Sequence, residues 1–234
     1  MAPSNLAGAG NGAGSPAPKQ FLAIGGVPIL IHSLRAFLAV ERVDGIYVAV
    51  RASEIDRMKA HIAEFGLGAK IHVVEGGENR QQSVYRALTA LAAGPDDVAL
   101  VHDAVRPLID PAIIERTIDA VVRHGAAIVG LPAVDTIKQV ERTANGAIIS
   151  STIPRERVVH AQTPQGARYA TLKRAFDEAE ADEFLGTDEA SLLERAGVQV
   201  VVVAGSAKNF KITQPGDLEL AEFYLASATT GAAE

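Results

Sequence analysis

The 234-residue chain contains no cysteine. Disulfides, thiolate metal sites and cysteine nucleophiles are therefore excluded, and the absence is compatible with a reducing cytoplasm. Positive charge is also in short supply. Twenty-two Lys and Arg stand against 28 Asp and Glu, a formal net charge of −6. A general nucleic-acid binder needs a basic face, so nucleic acid is not an expected partner, although a local basic pocket for a small anion remains open. No apolar run approaches the roughly 20 residues of a membrane span, so no membrane partner is expected either. Residues 1–18 carry neither a basic nor an apolar segment of the kind that makes a signal peptide. Rich in Ala, Gly, Pro and Ser, they read in isolation as a flexible tail, and residues 226–234 are expected to fray.

What is present is an ordinary folding composition, 48% hydrophobic and 21% charged. The length suits one large domain or two small ones. Short β-branched runs at 45–50, 70–74, 97–102, 126–131 and 198–203 suit buried parallel strands. Helix-period segments fill the gaps at 29–40, 54–65, 81–92, 112–124, 170–179, 188–196 and 217–227. This alternation predicts a doubly wound α/β sheet whose ligand lies beyond the carboxyl ends of the strands. Residues 133–159 break the alternation. The turn pair Asn145-Gly146 between extended pieces signals a hairpin, and so long an excursion suits an arm that packs on another subunit.

Four groups of residues can carry chemistry. The stretch Gly8, Gly10, Gly12, Gly14 followed by Lys19 can present backbone N–H groups and one cation to phosphate. Gly76-Gly77, then Glu78 to Ser83, ends a strand and opens a helix. There, either the exposed N–H groups and Ser83 take a base, ribose or phosphate, or Ser83 or Asn79 simply caps the helix. His102-Asp103-Ala-Val-Arg106-Pro107 closes the most apolar strand. Asp103 suits Mg²⁺ held against substrate phosphates and Arg106 suits a phosphate fork; the less favoured alternative is a structural pair around a proline turn. His102 reads as a packing or hydrogen-bonding residue. The last group is scattered: Thr136, Lys138, Arg155, 162–165, Thr187 and 208–213, each a hydroxyl or cation expected at a break in structure. Thr187 also suits a helix N-cap.

In this order the motifs resemble the 2-C-methyl-D-erythritol 4-phosphate cytidylyltransferase family, from about Leu6 to Tyr224. The matching blocks are 18–22, 76–84, 102–107, 135–138, 161–165, 187–190 and 209–218. The resemblance implies a single Rossmann-like nucleotidyltransferase domain with a mostly parallel twisted sheet, and residues 133–159 as a protruding β-hairpin arm that interlocks a homodimer. It implies transfer of CMP from CTP to the polyol phosphate, with release of pyrophosphate. A cytidylyltransferase for another polyol phosphate such as ribitol 5-phosphate, or a weakly active nucleotide-binding relative, are the alternatives. Gly8, Gly10 and Lys19 would surround the triphosphate, and Gly77, Glu78 and Ser83 the cytidine. Asp103 would hold Mg²⁺. Arg106, Thr163, Thr187 and Lys211 would face the acceptor phosphate, joined by Thr136 and Arg155 of the partner's arm. Lys19 and Lys211 would be the catalytic cations.

The start departs from the family pattern. Counting back from Pro18-Lys19-Gln20, Gly12 falls where a loop Arg is usual, and only five residues precede the loop where an apolar strand is usual. Either those residues pair poorly or the chain starts downstream of its true beginning. A donor aimed at developing charge is worth about 10²–10³ in rate, so slow turnover is expected. Gly12→Arg, made in a form extended upstream by an apolar strand, should raise pyrophosphate release by about that factor. A fast parent with no gain would show that another cation fills the role.

Overall fold

The computed structural model describes residues 21–144 and 146–230. The described chain opens on a two-residue ribbon, β1 (Ala23–Ile24) with β2 (Val27–Pro28). Gly25 and Gly26, at φ +57° and +76°, make the turn between them, a conformation that favours glycine. Helix α1 (Ile29–Leu38) follows, then β3 (Ile46–Val50), α2 (Ile55–Glu64) and β4 (Ile71–Glu75). Strands β3 and β4 pair in parallel. Met58 and Ile62 of α2, with Leu30, Ile31 and Leu34 of α1, bury Val48 and Val50 of β3.

The larger sheet has the order β10-β6-β9-β5. Helix α3 (Arg80–Ala90) leads to β5 (Val98–Val101), α4 (Pro111–His124) and β6 (Ala126–Pro132). The arm is β7 (Ile137–Thr143) with β8 (Gly146–Ile153), an antiparallel ribbon turned where the Asn-Gly pair predicts it. Then come β9 (Val159–Arg168), α5 (Tyr169–Ala181), α6 (Glu189–Arg195), β10 (Val201–Ala204) and α7 (Pro215–Thr230). Strands β6 and β10 run parallel, β5 shares their direction, and β9 opposes all three.

The sheet is covered on both faces. Successive residues of a strand point to opposite sides. On β5, Ala99 joins the cluster of Leu88, Leu172, Phe176 and Leu193 from α3, α5 and α6. Its neighbours Val98 and Leu100 join the cluster of Ile113, Ile114 and Ile118 from α4. Helices α3, α4 and α6 are capped at their amino ends by side chains. Asp110 accepts from the Ala112 N–H at 2.8 Å ahead of Pro111, and Gly125, at φ +90°, ends α4.

Two expectations need correcting. Residues 162–165 are not a break: they lie inside β9, between β5 and β6. Pro164 misleads because proline ordinarily excludes a central strand. Here the pairing passes from Ile128↔Gln165 to Val129↔Gln162, so Thr163 and Pro164 bulge out of the ladder and the missing N–H is not needed. Thr187 is not the helix cap. Asp188 is, accepting from the Ser191 N–H at 3.0 Å while Ser191 Oγ accepts from the Asp188 N–H at 3.3 Å.

Strand β9 fits because Gly166 lacks a side chain. A Cβ there would overlap the Ala99 carbonyl oxygen and sit 2.9 Å from Leu100 Cα, both backbone atoms of β5. Gly166→Ala is expected to cost about 3 kcal/mol or more through overpacking. Gly216→Ala, in the first turn of α7 with no atom within 4 Å of the added carbon, should be neutral or stabilise by up to about 1 kcal/mol. Urea unfolding of the two variants against the parent checks both. A Gly166→Ala protein as stable as the parent would contradict the packing described.

Candidate active site

Strand β5 ends at Val101, and the next two residues, His102 and Asp103, open the turn at its carboxyl end. The backbone N–H of Asp103 donates to Thr163 Oγ1 at 3.0 Å, and the Thr163 hydroxyl lies 2.9 Å from His102 Nδ1. His102 Nε2 lies 3.1 Å from the Arg106 carbonyl oxygen. A carbonyl only accepts, so the imidazole carries its proton on Nε2, and Nδ1 accepts from the threonine hydroxyl. Thr163 therefore has its hydroxyl engaged within the protein and is 3% exposed. It ties the bulge of β9 to the turn after β5.

This turn aims the Asp103 carboxylate at three cations. Arg80 Nε lies 3.1 Å from Oδ1, Lys211 Nζ 3.1 Å from Oδ2, and Arg106 Nε 3.6 Å from Oδ2. Each cation comes from a defined place. Arg80 is the first residue of α3, directly after the cap Asn79, whose side chain accepts from the Gln82 N–H at 2.9 Å. Arg106 lies in the same turn as Asp103 and donates from Nη1 to the Asn209 carbonyl at 2.8 Å. Lys211 belongs to the segment after β10. That segment is pinned by Asn209, fully buried, which donates to the Thr163 carbonyl at 2.8 Å. The Ile212 N–H donates to the Val105 carbonyl at 2.9 Å.

Burial pushes the Asp103 carboxyl up, but the charges of Arg80, Lys211 and Arg106 outweigh it and hold it below the ordinary carboxylate range. Burial lowers Arg106 from its ordinary value, with Asp103 opposing. Arg80 is raised: burial works against its charge, and the Glu189 and Asp103 carboxylates prevail. His102 is pushed down to about 4 by burial, which keeps the ring neutral.

Several sequence-selected residues meet here: Asp103, Arg106, Lys211 and Thr163. Gly77 and Glu78 form the turn before α3, and Ser83 lies in the helix's first turn. Ser83 Oγ accepts from the Gly77 N–H at 3.0 Å and donates to the Asn79 carbonyl at 2.8 Å, while the Glu78 N–H donates to Gln82 Oε1 at 3.0 Å. Asn79, rather than Ser83, caps the helix. A Cβ on Gly77 would collide with Gln82 Cβ, so this turn requires glycine. Thr187 is exposed at the start of the α6 turn, and its N–H donates to Ser191 Oγ at 3.1 Å. Thr136 and Arg155 flank the arm, both exposed, and Arg155 donates to the Val134 carbonyl at 2.7 Å. Neither bonds to the Asp103 cluster in its own subunit. Gly8, Gly10, Gly12 and Lys19 lie outside the described residues.

Sequence reasoning missed Glu189 and the part played by Arg80. Glu189 is 1% exposed, and its two oxygens accept from Arg80 Nη1 at 2.7 Å and Nη2 at 2.9 Å. The available signal was a glutamate opening a helix beside apolar Ala190, Leu192 and Leu193, where a charge needs a buried partner.

Among the described residues, no group of three or more His, Asp or Glu side chains is placed to hold a metal by itself. Asp103 alone is a hard oxygen donor at 12% exposure, the kind of single carboxylate that Mg²⁺ uses when phosphates supply its other ligands. The same residues also form no membrane helix: none is long and apolar enough to cross a bilayer.

A two-sided α/β sheet with a carboxylate ringed by cations beyond a strand's carboxyl end, beside a Gly-Gly turn opening a helix, is suited to an anionic ligand such as a nucleotide, and the comparisons with known proteins make the class a nucleotidyltransferase. Residues 4–227 match the family model described as IspD, 2-C-methyl-D-erythritol 4-phosphate cytidylyltransferase. The chain belongs to this family. The enzyme of that name from Acidobacterium capsulatum is 67% identical over 89% of this chain and 87% of its own. The one from Solibacter usitatus is 48% identical over 88% and 84%. The 4-diphosphocytidyl-2C-methyl-D-erythritol synthase from Anaerococcus prevotii superposes with a TM-score of 0.80 at 28% identity, covering 92% of both chains. The Thermus thermophilus 2-C-methyl-D-erythritol 4-phosphate cytidylyltransferase does so with 0.73 at 35% identity, covering 90% of this chain and 94% of its own.

His102 makes folding pH-dependent. Its ordinary value is 6.5 and its folded value about 4, so the unfolded chain takes up a proton that the folded one refuses. The sign follows: stability is full above about pH 6.5 and falls as the pH drops towards 4, by at most about 3 kcal/mol. Urea unfolding between pH 7 and 4.5 should show this slope in the parent and a shallower one in His102→Gln. Equal slopes would mean that the ring is not held neutral.

Proposed function

We propose that the chain transfers CMP from CTP to 2-C-methyl-D-erythritol 4-phosphate and releases pyrophosphate, a step of isoprenoid-precursor synthesis. The observation that carries this reading is the convergence of Asp103, Arg106 and Lys211 on one point at the rim of the sheet. An oxygen of the acceptor phosphate attacks the α-phosphorus of CTP. A new P–O bond forms, the bond to the bridging oxygen breaks, and pyrophosphate leaves with the electron pair. The enzyme needs no nucleophile of its own. It must place two anions in line and neutralise the charge that builds on phosphorus.

Lys211 is suited to that task. Its side chain is 43% exposed, so its ammonium can exchange the Asp103 carboxylate for a phosphate oxygen. Arg106 supplies a fixed cation beside it; Thr187 would face the acceptor, and Thr163, its hydroxyl engaged within the protein, would serve by holding the turn that carries Asp103. Gly77, Glu78 and Ser83 would take the nucleoside, and by the family pattern of the sequence Gly8, Gly10 and Lys19 would take the triphosphate. Asp103 would hold Mg²⁺, which when bound neutralises charge on the triphosphate.

The chain acts in this reading as a homodimer, with Thr136 and Arg155 of the arm serving the partner's site. In support, Ile149 and its cross-strand partner Val140 are 60% and 44% exposed, an apolar pair on one face of the arm that a second subunit would cover. A cysteine-free chain that consumes CTP suits the cytoplasm.

The test is pyrophosphate release from CTP with methylerythritol phosphate and, separately, ribitol 5-phosphate. The first should be the better substrate. Asp103→Asn, which removes a charge without changing volume, should lower turnover by about 10² or more in a folded protein. Mixing inactive Arg155→Ala and Lys19→Ala subunits should restore activity, because one of the two sites in the heterodimer is whole. Near-normal turnover by Asp103→Asn would remove the metal and phosphate assignment. Heterodimers without recovery would remove the shared site.

A further inference from the structure

Glu189 sits apart from every residue assigned so far, yet it is a buried carboxylate joined to the site by one side chain. Isolated burial of such a charge is costly, so the position persists only with a matched partner. Arg80 is that partner, and its donors are divided. Both terminal nitrogens fork onto Glu189, at 2.7 and 2.9 Å, while Nε alone reaches Asp103 Oδ1 at 3.1 Å. A planar guanidinium gripped at one edge has little rotational freedom left, so the direction of its Nε–H is set by Glu189.

Glu189 is itself immobilised. It is the first residue of α6, whose cap Asp188 accepts from Gln165 Nε2 at 3.0 Å, and the Ala190 N–H donates to Gln165 Oε1 at 3.0 Å. Gln165 is 2% exposed and belongs to β9, the strand that also carries Thr163. Asp103 is thus located twice from β9, through its backbone by Thr163 and through its carboxylate by way of α6, Glu189 and Arg80.

We infer that Glu189 and Arg80 form a positioning pair for the transfer reaction: Glu189 commits Arg80 to Asp103 Oδ1, fixing the carboxylate plane and leaving Lys211 as the cation free to exchange onto phosphate. Exposure does not separate the two cations, 40% for Arg80 and 43% for Lys211; their partners do, because Arg80 is forked onto a carboxylate that is itself 1% exposed whereas Lys211 is a point charge on a flexible stem. Without the fork, the Arg80 guanidinium is released to rotate, and its charge competes with Lys211 for the same phosphate oxygens.

The inference rests on the proposed transfer reaction, and its test separates the two. In the nucleotide-free parent, the Arg80 Nε–H should give a slowly exchanging NMR signal. In Glu189→Gln that signal should be lost or exchange fast, whatever substrate the enzyme uses. With substrates, Glu189→Gln should lower kcat by about 10–10²-fold, with KM for CTP and for the polyol phosphate changed by less than about threefold. The decisive variant is the double replacement Arg80→Met with Glu189→Met. Exchanging a whole buried ion pair for apolar side chains often leaves stability intact, so its melting temperature should return towards the parent's while kcat stays low. If kcat recovers along with stability, the pair is a structural staple and the inference falls. It falls equally if Glu189→Gln keeps the protected Arg80 signal. A parent inactive on both polyol phosphates, with the Arg80 signal behaving as described, would overturn the reaction and leave the positioning geometry standing.

Discussion

The site depends on one partly desolvated carboxylate. Asp103 is 12% exposed, and a carboxylate so placed must be met by positive charge or hydrogen bonds. The chain meets it with cations from the start of α3, the turn after β5 and the segment after β10. Each of the first two is anchored in turn, Arg80 by Glu189 and Arg106 by the Asn209 carbonyl. Satisfying one charge therefore fixes how four remote parts of the chain approach each other.

The arrangement sorts the cations by what they can do. Arg80 and Arg106 are held in fixed directions by further protein groups. Lys211 has a solvated ammonium whose carboxylate partner in the cluster is Asp103. Fixed cations shape the field before substrate arrives, and a mobile one follows charge as it moves during the reaction. The neutral His102 fits the same scheme. A second proton on this ring would add charge next to Arg106 and disturb the hydrogen bonds that run from Thr163 to the Arg106 carbonyl.

Much of this was legible in the residues. Apolar runs placed β3 to β6 and β10 to within a few residues, and Asn-Gly placed the arm's turn. The rule that ligands lie beyond carboxyl ends led to Asp103. Local pattern failed at β9, where a proline normally argues against an interior strand and only the bulge opposite Val129 accommodates it. It failed at Thr187, because Thr and Asp stand side by side as candidate caps and only the backbone bond to Ser191 decides between them. It failed most fully at Glu189, whose partner lies 109 residues away. No periodicity or spacing rule spans such a distance. The nearest clue was a charge at the edge of an apolar helix face. The glycine-rich start and Lys19 stand outside the described residues, so their contribution rests on the sequence alone.

The opposed direction of β9 has a consequence for how the molecule comes into being. The contacts that assemble the site join residues 61, 103 and 109 positions apart. During synthesis, β3, β4, α3 and β5 emerge well before β9 and α6. Until those arrive, Arg80 and Asp103 lack their distant partners, and β5 lacks the neighbour that shields its edge. Pairings between such remote segments form slowly, because the intervening loop must first be closed. Strand β9 enters between β5 and β6, and the catalytic surface is complete only once α6 and the segment carrying Lys211 have followed it.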